Sequence, residues 1–578
     1  MAELNLSDDL AARIKNKLEF LYDNQSKEYF DKILELMTEY KPQIEQQDRK
    51  DWVDEEDLIL ITYGDNIQEE DKAPLQSLKE FVDDYFSNLV SGIHILPFFP
   101  YSSDDGFSII DYKAVNPEFG DWSDINQISE DYRMMFDAVI NHISAESDWV
   151  EGYLNGEDEY EDFFIDVDPE IDLSQVTRPR AKPLLTEFES SEGTKHLWTT
   201  FSPDQVDLNF SNPEVLLRVI EILLFYVTQG AEIIRLDAIA YLWKKIGTSC
   251  IHLEETHQVV KLMKDIFAAV APEVIIITET NVPHEENISY FGNGDDEAQM
   301  VYQFSLPPLV LHSFVSGDAS YLSEWAADIE APSEETTFFN FLASHDGIGV
   351  RPAEGILTEE EIQDLADRAV EHGGAVNYKT NSDGSKSPYE LNITYVDAII
   401  DEDEDLDTQA KKFVASQSIL LAMVGVPGIY IHSLLGSRNY EQGVEETGRN
   451  RTINREKLKR EQVEEELNDP HTLRSKVYKE YSKLIELRKE EKAFHPNGKQ
   501  EVLDTNEAVF SLLRSHEEEA LLSLHNVSGE EQKVVVDLAE YGMGDREEFK
   551  DIIAEEEVDV QGKQVRLNLA PYQVRWLK

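Results

Sequence analysis

Cysteine is almost absent from this chain of 578 residues. Cys250 is its only cysteine, so no disulfide can form within the chain, and we expect a reducing compartment. A lone thiol of this kind is more typical of a packed side chain than of a nucleophile. We therefore assign Cys250 no role in the chemistry.

Basic residues are also scarce. Lysine and arginine together number 51 against 117 aspartates and glutamates, which gives a formal net charge of −66. Nucleic acids and anionic membranes bind through cationic patches, so this charge argues against both as partners. A surface this acidic repels itself unless salt screens it, which predicts a salt-adapted protein in a salt-rich cytoplasm.

Long apolar runs and common cofactor motifs are missing as well. No segment is apolar enough to span a bilayer, and the first residues do not form a signal peptide, which predicts a soluble cytoplasmic protein. No glycine-rich phosphate loop and no His-Glu-x-x-His pattern occurs. A metal site is an alternative interpretation of the residues Asp137, Asn141, His142, Asp237 and Glu279. No close carboxylate triplet accompanies them, and we expect neither a metal nor a cofactor.

Four apolar, strand-like segments each end in polar residues. They cover 136–142, 230–238, 273–279 and 338–346, and they deliver His142, then Arg235 with Asp237, then Glu279, then His345 with Asp346. Continuous apolar runs are typical of parallel strands that are covered on both faces. In a (β/α)₈ barrel the carboxyl ends of the strands carry the catalytic groups, so the order of these segments predicts that fold.

The pattern along the chain predicts an α/β protein built on a TIM barrel. Strands alternate with helices through the middle of the chain, and short strands follow near its end. The predicted parts are a helical extension at 1–55, a (β/α)₈ catalytic barrel at 56–142, 213–346 and 410–490, an insertion domain B at 143–212, a second insertion or lid at 347–409, and a small all-β C-terminal domain at 491–578.

Three of the strand-end residues are carboxylates that can meet in one cavity: Asp237, Glu279 and Asp346. A retaining glycosidic mechanism needs two carboxyl groups about 5–5.5 Å apart, one as nucleophile and one as general acid and base. Arg235 leaves its strand on the same face as Asp237, where a cation would keep that carboxylate ionised.

Four sequence blocks carry a family resemblance. They lie at 137–142, 234–238, 278–279 and 344–346 and resemble the four recurrent motifs of the α-amylase superfamily of glycoside hydrolases. Further detail, at 247–250, 306–309, 344–350 and 451–455, is similar to the sucrose phosphorylase branch. Within that branch the helical extension and the segments 100–107, 176–180, 278–284 and 387–392 look most like the glucosylglycerate phosphorylases. Sucrose phosphorylases usually lack the extension and have a different third motif.

The resemblance implies roles for individual residues. Asp237 is implied as nucleophile, Glu279 as general acid and base, and Asp346 as transition-state stabiliser. The residues implied to hold or surround the glucosyl unit are Asp104, Phe107, His142, Phe201, Gln205, Arg235, His345 and Arg451. Those implied to face phosphate or the acceptor are Arg178, Arg180, Tyr241, Tyr389 and Glu390. In so acidic a chain an anionic ligand needs a cation, and Lys379 is a further candidate.

The expected activity is that of a retaining α-glucoside phosphorylase. The expected donor is 2-O-α-glucosylglycerate, with sucrose, sucrose 6'-phosphate and glucosylglycerol as alternatives. Two rivals stay open: a glucosidase or transglucosidase on the same site, and a solute-binding protein on the same scaffold. The expected partners are a small sugar substrate and inorganic phosphate, in a monomer or homodimer.

Overall fold

Eight short parallel strands close into a barrel at the centre of the protein. The computed structural model describes residues 6–45, 51–179, 183–380 and 385–578. The barrel strands are β1 (Ile59–Thr62), β2 (Gly92–Ile95), β3 (Arg133–Ala138), β4 (Ala231–Leu236), β5 (Ile275–Thr278), β6 (Met300–Tyr302), β7 (Thr337–Asn340) and β8 (Val426–Tyr430). They pair in chain order, and β8 closes on β1. The predicted (β/α)₈ class is confirmed.

The barrel strands form where the sequence is continuously apolar. Ile275, Ile276 and Ile277 of β5 are all buried, as expected for strands that face the barrel interior on one side and helices on the other. Gly428 in β8 leaves room for the Phe339 ring, because a Cβ there would lie 2.3 Å from that ring. Such close filling makes the barrel interior a packed core.

Two of the strands end earlier than the sequence indicates. β3 ends at Ala138 and β7 at Asn340, so the pair His345 and Asp346 lies in the loop above the barrel, and His142 begins a separate short strand of the first insertion. The loop after β7 is held from outside, because the Arg455 Nε donates a hydrogen bond to the His345 carbonyl at 2.8 Å. Apolar pattern alone does not reveal where pairing with a neighbouring strand stops.

Helices surround the barrel. Those of the barrel layer are α3 (Pro74–Tyr85), α4 (Trp122–Ser129), α5 (Pro213–Thr228), α6 (Glu254–Val270), α7 (Leu306–Ser316), α8 (Leu406–Ala422) and α9 (Leu473–Lys489). α5 begins as its sequence indicates: Asn212 accepts a hydrogen bond from the Glu214 amide at 3.0 Å, and Pro213 occupies the first turn. No helix among the described residues is long and apolar enough to cross a membrane.

Ahead of the barrel, two helices form an N-terminal hairpin: α1 (Asp8–Tyr22) and α2 (Ser26–Tyr40). Ser7 caps α1 by accepting a hydrogen bond from the Leu10 amide at 3.2 Å. Apolar side chains at helical spacing, among them Ile14, Leu18 and Ile33, are buried against the barrel layer.

Two insertions leave the carboxyl side of the barrel. The one after β3 contains the strand pairs His142–Ser144 with Gln205–Asp207 and Leu185–Ser190 with Gly193–Trp198, and the helix Asp148–Asn155. The one after β7 contains the strands Ile348–Gly349, Ala375–Thr380 and Lys386–Asn392 and the helices Glu359–Glu371 and Tyr395–Ile399. Both place side chains above the barrel mouth. The predicted domain boundaries remain predictions.

The last part of the chain is an antiparallel sheet of eight strands. They are Lys499–Val502, Val509–His516, Glu519–Asn526, Gln532–Asp537, Glu548–Asp551, Glu556–Gln561, Gln564–Leu569 and Val574–Leu577. Two fully buried arginines bind the end of α8: Arg514 ties this sheet to the barrel layer, and Arg488 of α9 joins two helices of that layer. The Arg514 Nη1 donates to the Ala422 carbonyl at 2.5 Å, and the Arg488 Nε donates to the Leu421 carbonyl at 3.1 Å, both at the end of α8.

Candidate active site

Arg235 on β4 is the centre of the charged network at the barrel mouth. Its Nη1 donates to Asp237 Oδ1 at 2.9 Å and also to Asp137 on the neighbouring strand β3. The second oxygen of Asp137 lies 2.6 Å from His94 Nε2. All four side chains are buried, so the guanidinium balances charge that water cannot reach.

Glu279 approaches Asp237 from the end of β5. Its Oε2 accepts a hydrogen bond from the Ala238 amide at 2.9 Å and lies 4.0 Å from Arg235 Nη2. Ala238 has a left-handed backbone with φ of 48°, and this turn aims its amide at the glutamate. The nucleophile and acid predicted from sequence therefore lie beside one guanidinium.

Asp346 completes the predicted set of three carboxylates. It forms an ion pair with Arg451, Nη1 to Oδ1 at 2.5 Å, and Arg455 lies 3.7 Å from the same oxygen. The neighbouring His345 stacks on Phe107 with ring centroids 4.6 Å apart. Asp346 is therefore held by two cations and also lines the cavity that holds Asp237 and Glu279.

Burial and the neighbouring charges shift the pKa values of Asp237 and Glu279. Burial raises the pKa of Asp237, with Arg235 opposing it and the charge of Glu279 adding to it. Burial also raises the pKa of Glu279, against Arg235 and the Ala238 amide. Because the two carboxyl groups are coupled, each lost proton belongs to the pair and not to one residue. Arg235 lies closer to Asp237, at 2.9 Å, than to Glu279, at 4.0 Å, and so favours the ionised form of Asp237 more than that of Glu279.

The neighbouring groups keep fixed charges. Burial would raise the pKa of Asp137, but Arg235 and His94 outweigh it and lower that pKa to about 2. Burial lowers the pKa of His345 well below its usual value, and nearby Arg455 lowers it further. We infer that Asp137 is anionic and His345 neutral throughout the ordinary pH range.

The three carboxylates line one cavity of about 90 Å³. Its other walls include the predicted residues Asp104, Phe107, His142, Phe201, Gln205, Tyr241, His345, Tyr389 and Arg451. The carbonyl of Phe107 joins two of them: Gln205 Nε2 donates to it at 2.9 Å, and His142 Nε2 lies 2.9 Å from it. Phe201 and Tyr241 meet edge to face, with ring centroids 5.5 Å apart. Strand ends and both insertions thus contribute to one pocket.

A wider cavity of about 540 Å³ adjoins the first and shares Asp104, Tyr389 and Arg451 with it. Glu390 lines this outer cavity and is paired with Arg451, Oε1 to Nη2 at 2.7 Å. This arrangement makes Glu390 a partner of the arginine that holds Asp346. It also places the second insertion at the entrance of the pocket.

The predicted cations do not all join the pocket. Arg178 is exposed and is not among the residues that line either cavity. Arg180 lies outside the described residues. Lys379 is paired with Glu354, Nζ to Oε1 at 2.6 Å. The roles predicted for Arg178 and Arg180 remain predictions.

Sequence reasoning missed a buried ion pair that joins the first insertion to the barrel. Lys244 Nζ lies 2.6 Å from Asp207 Oδ2 and donates to Asn141 Oδ1 at 2.7 Å. Both charged side chains are almost fully buried. The sequence shows a lysine shortly after the Asp237 strand. Its partners Asp207 and Asn141 are distant in sequence, so no local pattern predicts the contacts.

Arg351 was also missed. It follows Val350, whose amide donates to the Tyr389 carbonyl at 3.1 Å, and its side chain interacts with the hydroxyl of Tyr241. Burial raises the pKa of Tyr241, and Arg351 partly offsets that shift. The tyrosine on the pocket wall is thereby held in place by a cation of the second insertion.

The residues considered for a metal site have other partners. Asp137 is bound by Arg235 and His94, and Asn141 by Lys244. In the described part of the chain, no group of three or more histidine, cysteine, aspartate or glutamate side chains is arranged to hold a metal ion.

The fold and this site define a (β/α)₈ enzyme that acts on glycosidic bonds. The sequence model of the α-amylase catalytic domain family matches residues 82–348. The family model of the maltogenic amylase C-terminal domain matches residues 500–576. The chain is 57% identical to a glucosylglycerate phosphorylase of Spirochaeta thermophila, covering 84% of this chain and 82% of the relative. It is 48% identical to the glucosylglycerate phosphorylase of Escherichia coli, covering 95% and 96%.

A solved structure shows the same architecture. The sucrose 6F-phosphate phosphorylase from Thermoanaerobacter thermosaccharolyticum superposes with a TM-score of 0.71 at 27% identity, covering 82% of this chain and 94% of that one. The chain belongs to the α-amylase family, in the branch that contains the glucosylglycerate phosphorylases. The resemblance predicted from its motifs is confirmed.

Proposed function

We propose that this protein is a retaining phosphorylase that transfers the glucosyl group of 2-O-α-glucosylglycerate to phosphate. The products are α-glucose 1-phosphate and glycerate. The observation that carries the proposal is the identity of 48–57% with proteins of that name over most of the chain. The carboxylate pair beside Arg235 supplies chemistry that fits it.

In the first step Asp237 attacks the anomeric carbon of the bound glucoside. A bond forms from a carboxylate oxygen to that carbon, and the glycosidic bond breaks. The Glu279 proton passes to the departing glycerate oxygen, so glycerate leaves neutral at that hydroxyl. The contact of Arg235 with Asp237 favours the ionised nucleophile that this step needs.

In the second step a phosphate oxygen attacks the same carbon from the face that glycerate left. The ester bond to Asp237 breaks, and Glu279, now a carboxylate, accepts a proton from the incoming phosphate. Two displacements restore the α configuration. The protein then again holds Asp237 ionised and Glu279 protonated.

Asp346 serves the transition states of both steps. We propose that it binds sugar hydroxyls while positive charge develops at the anomeric carbon, with Arg451 fixing its orientation. Asp104, His142 and His345 line the same cavity and supply further polar contacts to the glucosyl unit. Phe107 and Phe201 offer apolar walls for the sugar ring.

The deciding experiment runs the reaction in the synthetic direction. Purified enzyme receives glucose 1-phosphate with glycerate, glycerol, fructose or fructose 6-phosphate, and phosphate release is measured. We expect glycerate to be the preferred acceptor. Preference for fructose would move the assignment to sucrose phosphorolysis, preference for fructose 6-phosphate to sucrose 6'-phosphate, and preference for glycerol to glucosylglycerol.

The hydrolytic alternative is tested in the opposite direction. With glucosylglycerate as donor, we expect glucose 1-phosphate to form only when phosphate is supplied, with little free glucose. Free glucose as the main product, independent of phosphate, would make the protein a glucosidase. No turnover with any donor would leave a solute-binding role on this scaffold.

We further propose that the enzyme works in a salt-rich cytoplasm as a monomer or homodimer. The net charge of −66 supports salt adaptation, since screening relieves repulsion between surface carboxylates. The melting temperature should rise as potassium chloride is added. A maximum without salt would contradict salt adaptation, and light scattering would settle the oligomeric state.

A further inference from the structure

The N-terminal hairpin of α1 and α2 contributes none of the described residues that line the catalytic cavity. It docks instead on the outside of the barrel layer. Lys17 Nζ lies 2.7 Å from Asp265 Oδ2 of α6, and Lys41 Nζ donates to the Ala269 carbonyl at 2.8 Å. These contacts attach the hairpin to α6 but do not by themselves relate it to the reaction.

Tyr22, at the end of α1, makes a different kind of contact. Its hydroxyl donates to the Phe210 carbonyl at 2.9 Å, and its ring centroid lies 6.2 Å from that of Trp243. Tyr22, Phe210 and Trp243 are all buried. The hairpin therefore bridges two chain segments that are remote in sequence.

Both of these segments run directly into the pocket. Phe210 follows the strand that carries Gln205, whose amide binds the Phe107 carbonyl. Trp243 follows Tyr241, which lines the cavity beside Glu279. Tyr22 thus lies behind two pocket walls that come from different parts of the chain.

The segment 237–244, here called the nucleophile segment, depends on being held at both ends. At its start Ala238 keeps a left-handed backbone, and its amide binds Glu279. A non-glycine residue keeps that conformation only where its surroundings fix it. At the other end the Trp243 amide donates to Thr256 Oγ1 at 3.3 Å, and the Tyr22 ring packs beside the indole.

We propose that the N-terminal hairpin is a positioning element for the acceptor side of the pocket, with Tyr22 as its contact residue. By contacting both Trp243 and Phe210, Tyr22 keeps Tyr241 and Gln205 at fixed positions on the wall of the cavity. A pocket wall that is loose by about 1 Å holds its ligand less well and excludes water less well. The inference depends on the proposed function in one respect, which is the identity of the acceptor that binds beside this wall.

A loosened wall has two measurable consequences. Acceptor binding weakens, because Tyr241 no longer holds one position opposite Phe201. Water also gains access to the covalent glucosyl intermediate, so a larger share of the glucosyl group is released as glucose. The first step at the anomeric carbon changes less, because Arg235 and Asp137 on the barrel strands fix Asp237 from the other side.

The experiment compares Tyr22→Ala and Tyr22→Phe with a matched control, Lys17→Met. The control breaks an ion pair of the same helix with Asp265 and leaves the contact with Trp243 in place. In synthesis from glucose 1-phosphate, we expect Tyr22→Ala to raise the KM for glycerate about fivefold, with kcat changed less than twofold. We also expect about a fivefold rise in the fraction of the glucosyl group that is released as free glucose. Tyr22→Phe, which removes only the hydroxyl, should show a smaller change in the same direction. Lys17→Met should lower the melting temperature without moving either quantity.

Two outcomes overturn the proposal. In one, Tyr22→Ala leaves the KM and the glucose share unchanged. In the other, Lys17→Met changes both as strongly as Tyr22→Ala, which reduces the hairpin to a general stabiliser. If Tyr22→Ala gives no folded enzyme, Trp243→Phe, which thins the same contact, replaces it under the same criteria. Failure of the proposed function is recognised separately, because unaltered enzyme would then form no glucose 1-phosphate.

Discussion

The two ends of the pocket are built in different ways. The proposed glucosyl end includes charged side chains at barrel strand ends, joined by short contacts such as that of Arg235 with Asp237 at 2.9 Å. The proposed acceptor end includes aromatic side chains from loops and insertions, among them Tyr241 and Tyr389. A rigid charged end suits chemistry common to many glucosides, and an end built from loops suits discrimination between acceptors.

The largest effect is expected at the glucosyl end. Asp237→Ala removes the atom that forms the covalent intermediate, and turnover should fall at least about 10⁴-fold. Formation of glucose 1-phosphate from glucosylglycerate measures it, with the melting temperature as the control for folding. Activity within tenfold of the unaltered enzyme would exclude Asp237 as nucleophile.

Glu279→Gln tests the acid at the same end. The variant cannot donate a proton, and the rate with glucosylglycerate should fall about 10³-fold. Because burial raises the pKa of Glu279, the rate of the unaltered enzyme should fall as pH rises through that pKa and the carboxyl loses its proton. The variant should lack this alkaline limb. α-Glucosyl fluoride needs no acid for its leaving group, so it should restore the first step. An unchanged pH profile in the variant would assign the acid elsewhere.

Lys244→Met tests how the first insertion is joined to the barrel beside the glucosyl end. It leaves Asp207 buried without its cation and should lower the free energy of unfolding by about 3–5 kcal/mol. Denaturant unfolding measures the change. The double variant Lys244→Met with Asp207→Leu removes both charges and should recover part of the loss. A single variant as stable as the unaltered protein would mean that the ion pair carries little of the stability.

The smallest effect is expected at the acceptor end. Tyr389→Phe removes one hydroxyl from the pocket wall and should raise the KM for glycerate about three- to tenfold, with kcat nearly unchanged. Synthesis from glucose 1-phosphate with glycerate and with glycerol provides the matched comparison. A fall in kcat equal to that of Glu279→Gln would mean that the acceptor end takes part in the chemistry as much as the glucosyl end does.

The glucosyl end was largely predictable from sequence. Apolar runs predicted strands β4 and β5, and the residues that follow such strands lie at one barrel mouth whatever the loops do. For that reason Asp237 and Glu279 could be placed together in advance. The ends of β3 and β7 were less predictable, because pairing with neighbouring strands sets them.

The acceptor end was less predictable. Tyr241 and Tyr389 line the pocket as expected, but Glu390 turns to Arg451 and Lys379 to Glu354. In an acidic chain every cation has many possible partners, and only the folded chain selects among them.

By itself, the sequence determined the barrel, the order of its strand-end carboxylates and the family to which the chain belongs, because these follow from local periodicity and short motifs. The tertiary structure decided which buried charges pair, as for Lys244 with Asp207, and that Tyr22 meets Trp243. Those contacts join residues far apart in the chain. Their free energy arises only when folding removes both partners from water, and no local pattern records it.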